Sequence, residues 1–198
     1  MNSNAARKIF NAALALVILY EWSLMFSNVE ENMLTVRGIA SLKYFTILSN
    51  LLEAVACLVW LVNRNEKIKY VAAVSVMLTL VTVVVFLGPT MGYGIMFVGA
   101  NLWFHLIVPI LALFEVVFWN KESFSARDNL IAVLPMAVYG FFYVANNIIN
   151  GVGQWPHIND WYGFLAWGYP IGVIIYLVII MATWLIGFVI RKAKDRLK

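Results

Sequence analysis

Six times along the chain, a charge-poor apolar stretch runs for about the 20 residues that a helix needs to cross the hydrocarbon core of a bilayer. The stretches fall at about 9–27, 44–62, 68–88, 101–119, 129–149 and 167–190. Lipid-exposed backbone must satisfy its own hydrogen bonds, so each run is read as a helix. A transmembrane β-barrel would show short alternating segments, and these runs are too long and continuous for that. Composition agrees: of 198 residues, 63% are hydrophobic and 12% charged, about half the charge of a soluble domain. The expected fold is all-α, a single polytopic six-helix domain over 1–198. The first run follows Arg7 and Lys8 like a signal peptide, but it is long for one, and no small-residue cleavage site follows before Asn28.

Twelve of the 14 basic residues lie on one side of this layout: Arg7, Lys8, the second connection (Arg64, Lys67, Lys69), the fourth (Lys121, Arg127) and the tail from Arg191. Only Arg37 and Lys43 lie on the other. The positive-inside bias puts both termini in the cytoplasm, and the plasma (inner) membrane is the expected location. Trp22, Trp103, Trp161 and Trp167 mark the outer ends, and Trp60, Trp119 and Trp184 the inner ones. The net charge of +4 comes from loops and tail and is not a nucleic-acid footprint. The lone Cys57 excludes an internal disulfide. Two histidines, His105 and the loop residue His157, have no ligand spacing for a metal or a haem, and no cofactor is expected.

Polar groups inside lipid are costly, so their positions carry most of the functional information. The second helix carries Thr46, Ser49, Asn50 and Glu53 on one face, and the fourth carries Asn101 and His105 a turn apart. The first carries Glu21, and the fifth ends with Tyr143, Asn146 and Asn147. The topology brings Thr46, His105, Glu21 and the asparagine pair to a similar depth in the outer leaflet, which reads as a site. Pro109 cannot donate to the carbonyl of His105, so the fourth helix should kink there and open space beside the histidine. Plainer roles compete with these. A membrane threonine commonly bonds its own backbone, and Asn or Ser often joins helices. Ser75, Thr79 and Thr82 are read as packing of that kind. Lys43 could simply snorkel to headgroups. Glu115, near an inner helix end, is read as paired or partly wet.

Two segments carry a family resemblance. Lys43-Tyr44-Phe45-Thr46 resembles the K-(aromatic)-x-T of the androgen-induced, androgen-dependent family of membrane proteins. His105-Leu106-Ile107-Val108-Pro109 resembles that family's H-x-x-x-P, with an asparagine, here Asn101, four residues before the histidine. The six-helix layout is similar too, although the second connection is shorter than in the animal proteins and most other positions differ. Animal members are threonine hydrolases that cleave fatty acid esters of hydroxy fatty acids. The resemblance implies Thr46 as nucleophile and His105 as its general base, acting on fatty-acyl esters in the bilayer. An oxyanion would need donors, and Asn50, Asn101, Asn146 and Asn147 all offer them. Glu21 or Glu53 could orient His105. Lys43 or Arg37 could hold a substrate carboxylate. Position alone equally fits a non-enzymatic role, as a transporter subunit or a binder of lipid or small molecules.

Overall fold

A computed structural model describes residues 3–27, 38–153, 158–165 and 167–197. Arg37 and His157, both considered above, lie outside the described residues. Six helices are long and apolar enough to span a membrane: α1 (Asn4–Ser27), α2 (Phe45–Asn63), α3 (Glu66–Met91), α4 (Ala100–Trp119), α5 (Ala126–Asn150) and α6 (Tyr169–Arg196). No strand occurs among the described residues. The chain is an all-α integral membrane protein, and six crossings bring both termini to one face.

Local chemistry sets the helix ends on that basic face. Asn65 caps α3, its side chain accepting from the N–H groups of Lys67 and Ile68, both at 3.1 Å. Ser125 and Asp128 form a reciprocal capping box at the start of α5. The opposite end of α2 is different. Tyr44 precedes it in an extended conformation and makes no side-chain cap. The first helical N–H, that of Phe45, donates instead to the hydroxyl of Tyr162, 117 residues away, at 2.9 Å. A loop side chain thus fixes the helix end that carries Thr46.

The centre of the bundle is α3, which packs against α2, α4, α5 and α6, while α1 packs along α2. The outermost helix, α6, shows Ile174, Leu177, Val178, Met181, Leu185 and Val189 to lipid. It approaches α3 and α5 at Gly187, where an added Cβ would lie 2.0 Å from Asn129 Oδ1. The Tyr70 hydroxyl joins these helices, lying 2.7 Å from Asn129 Oδ1 and 2.8 Å from the Gly187 carbonyl.

Several basic residues of the inner face are not solvated, contrary to the loop placement expected from sequence. Arg7 forks onto Glu66 with two bonds of 2.6 Å and reaches Glu115 at 2.9 Å. Lys69 is fully buried, paired with Glu53 and, at 2.8 Å, with Glu115. Lys194 is buried and bonds the Asn120 and Val116 carbonyls. The cluster of Arg7, Lys69, Glu53, Glu66 and Glu115 ties α1, α2, α3 and α4 together. Long-range pairing makes burial of these charges tolerable, and it explains why α1 starts before Arg7 and α6 continues through Lys194. Glu115 is therefore fully paired rather than wet.

Candidate functional site

Thr46 is the second residue of α2 and His105 lies in the outer half of α4. Their side chains line one cavity of about 160 Å³, whose wall also includes Tyr44, Asn101, Trp161 and Tyr162. The apolar part of the wall comes from Leu87, Met91, Ile95 and Met96. The two residues are 59 apart in sequence, and the topological argument for their common depth holds.

The Thr46 hydroxyl makes no hydrogen bond among the described residues. Ser49, Ser75, Thr79 and Thr183 by contrast each bond a carbonyl of their own helix. Ser49 also meets Thr79 across α2 and α3 at 3.0 Å, which bears out packing as the role of Thr79.

His105 is buried and its Nδ1 lies 2.7 Å from the Met96 carbonyl. A carbonyl can only accept, so Nδ1 carries the proton and Nε2 keeps its lone pair. This corrects the expectation that Glu21 or Glu53 orients the histidine; a main-chain carbonyl does so. Glu53 lies seven residues along α2 from Thr46, about 10 Å deeper, and belongs to the Lys69 cluster. Glu21 is buried in α1 and is not part of the cavity wall.

Just before Pro109, where the sequence reading expects a kink, α4 takes a π-helical turn over Trp103–Ile107. Val108 N–H reaches back five residues to the Trp103 carbonyl. In that register the Phe104 carbonyl would be the partner of residue 109, and proline has no N–H to give. Asn50 supplies the missing donor: its Nδ2 bonds the Phe104 carbonyl at 3.2 Å and the Thr46 carbonyl at 2.8 Å. Asn50 therefore braces the two helices that carry Thr46 and His105, and both of its amide hydrogens are engaged.

The other asparagines divide. Asn101 lines the cavity and uses one amide hydrogen on the Ile95 carbonyl at 3.0 Å, leaving the other available. Asn147 spends both on the Tyr143 and Asn159 carbonyls, and Asn146 accepts from Asn150. Asn147 thus holds the loop between α5 and α6, Asn146 bonds within α5, and neither is part of the cavity wall.

Lys43 sits at the cavity rim, with Nζ 5.3 Å from the ring centres of both Tyr44 and Trp161. No carboxylate among the described residues pairs with it. Burial holds its ammonium below the ordinary lysine value. Tyr162 went unnoticed in the sequence. Besides accepting the Phe45 N–H, it is buried, which pushes the phenol up to about 12, so it stays protonated. Its only sequence signal is an aromatic pair, Trp161-Tyr162, in an outer loop. Thr46, Leu87 and Tyr162 also line an adjoining apolar crevice with Leu78, Met136 and Ile179 of α3, α5 and α6.

No protein-family model, curated protein or solved structure gives a significant match to this chain.

Proposed function

We propose that the protein is an intramembrane lipid-ester hydrolase, with Thr46 as nucleophile and His105 as general base. The observation that carries this reading is the pairing, in one cavity, of an unbonded threonine hydroxyl with a histidine held in the tautomer that leaves Nε2 free to accept a proton. A hydroxyl is a weak nucleophile until a neighbouring base takes its proton as it attacks. In the proposed cycle Thr46 Oγ1 bonds the ester carbonyl carbon while its proton passes to His105 Nε2. The tetrahedral intermediate then expels the alcohol, which takes that proton from His105. Water, deprotonated by the same nitrogen, releases the fatty acid and regenerates Thr46.

The developing oxyanion needs preorganised donors. Asn101 and the Tyr162 hydroxyl are the candidates that border the cavity. Lys43 suits a free carboxylate at the outer rim, which favours fatty acid esters of hydroxy fatty acids, as the motif resemblance also does. The acyl chain would start along the apolar wall of the cavity formed by Leu87, Met91, Ile95 and Met96. The membrane proposed is the plasma (inner) membrane, with the cavity in the leaflet away from the basic face. A second reading, a lipid binder that does no chemistry, draws on that same apolar wall.

Labelling with a serine/threonine-hydrolase phosphonate probe separates the two. The wild-type protein should be labelled and should cleave such esters, and Thr46→Ala should lose both while melting within about 1 kcal/mol of wild type. His105→Ala should lose about 10²–10⁴-fold in rate, the usual worth of a general base. Adding it to Thr46→Ala should cost nothing further, because the two act as a unit. Ester hydrolysis by a folded Thr46→Ala protein would end the hydrolase reading.

A further inference from the structure

The basic face carries a second and larger cavity, of about 420 Å³, on the other side of the ion cluster from Thr46. It lies among the inner ends of α1, α2 and α4 and is lined by Arg7, Trp60, Arg64, Glu66, Trp119 and Lys121, among others. Its size falls within the range of about 300–1,000 Å³ common to ligand sites. Glu66 brings the only carboxylate of this wall, and the Arg7 fork consumes it. Two cations are then left over. Lys121 has no ion-pair partner among the described residues. The guanidinium of Arg64 lies 4.0 Å from the centre of the Trp60 ring, and its enclosed Nη1 has no hydrogen-bond partner among the described residues.

The backbone under Arg64 is the second observation. Its φ of 56° is the only positive value outside glycine among the described residues, at the position that closes α2 by donating to the Trp60 carbonyl at 3.0 Å. Glycine or asparagine ordinarily fills such a cap. An arginine there accepts an unfavourable conformation and in return has its guanidinium stacked on an indole, preorganised and facing a cavity. Trp60 and Trp119 place that cavity at headgroup depth.

We infer that this cavity is a binding site for a phosphate group, held by the fork of Arg64 and the point charge of Lys121. The phosphate could belong to an anionic lipid of the inner leaflet or to a soluble phosphate ester. The inference does not rest on the hydrolase reading, since no residue is shared between the two cavities.

Native mass spectrometry of the full-length protein, delipidated in a neutral maltoside, tests it with three probes. Dioctanoyl phosphatidic acid should bind, and dioctanoylglycerol, which has the same chains and no phosphate, should bind at least tenfold more weakly. Glycerol 3-phosphate separates the sources: affinity equal to that of the lipid assigns a soluble ester, and much weaker affinity assigns a lipid headgroup. Arg64→Gly should weaken phosphatidic acid at least tenfold. It should melt no lower than wild type when unliganded, since glycine suits the backbone. Lys121→Gln, at the rim, gives an independent loss that does not depend on the fold of the helix cap. Equal binding of dioctanoylglycerol, no binding of either phosphate probe, or full affinity in both variants would overturn the site.

Discussion

Lys69 and His105 are both buried ionisable side chains of one membrane bundle, and their surroundings have little else in common. Around Lys69 ion pairs dominate: Glu53 and Glu115 pair with it, Arg7 joins Glu115 to Glu66, and Asn11 donates to Glu115 at 2.6 Å, with Cys57 Sγ 3.0 Å from the Lys69 ammonium. Around His105 the single strong contact is a main-chain carbonyl. The remaining wall is aromatic, aliphatic or amide apart from the Thr46 hydroxyl, beside empty space. The same expense of burying polarity thus has two outcomes. Where opposite charges interlock in a close-packed cluster they act as a structural clasp of four helices. Where a polar group is oriented but left with an open valence, it is available for chemistry.

The sharpest way to break this contrast is to open the clasp. Glu115→Ala removes one carboxylate from three partners: Arg7 keeps Glu66 and Lys69 keeps Glu53, but each loses a buried contact, Asn11 loses its acceptor and α4 drops out of the cluster. The variant should lose about 3 kcal/mol of stability, the low end for breaking a buried pair, read as a drop in detergent melting temperature. If Glu115→Ala melts like wild type while Thr46→Ala does not, the assignment of structure to one region and function to the other is reversed.

A smaller effect is expected at the rim. Lys43→Gln should raise KM for a carboxylate-bearing ester about tenfold, as for a lost charge-assisted hydrogen bond, with kcat little changed. The pH profile sharpens the point. Lys43 is charged below its pKa, and burial lowers that pKa, so KM should climb as pH rises through a value below that of ordinary lysine. Lys43→Arg should flatten the climb, because a guanidinium stays charged. A neutral methyl ester of the same substrate should show no climb at all.

The smallest effect tests the brace. Asn50→Ala should cost about 0.6 kcal/mol, typical of a hydrogen bond between membrane helices. In a Pro109→Ala background residue 109 regains an N–H for Phe104, so the cost should shrink. Equal costs in both backgrounds would show that Asn50 does not stand in for the missing proline donor.

The six spans were legible because lipid imposes a length and a composition on them, and their ends were missed where side chains pair at long range. Arg7, Lys69 and Lys194 looked like solvated loop residues, since nothing in local sequence reveals a partner 46 or 108 positions away. Thr46 and His105 could be brought together from topology alone, because depth in a bilayer is set by position along a span. Glu53 shares a helical face with Thr46 and so seemed part of the site, but face is not depth, and α3 presents it with Lys69. The Met96 carbonyl and Tyr162 follow loop paths that no periodicity encodes.

The π-turn over Trp103–Ile107 has a consequence for how such chains are aligned. It holds one residue more than an α-turn would need. Deleting one residue other than His105 from it would return the turn to α-helical spacing, with the gap at Pro109 remaining, and swing the outer end of α4 by about 100°. Asn101 would leave the cavity wall, while Glu115, on the far side, would stay in its clasp. A single gap there would alter no helix length by more than one position, and would change no residue type that a substitution score weighs. In a lineage of such proteins, insertion and deletion at this turn are therefore a finer guide to whether the cavity is intact than identity along the rest of the helix.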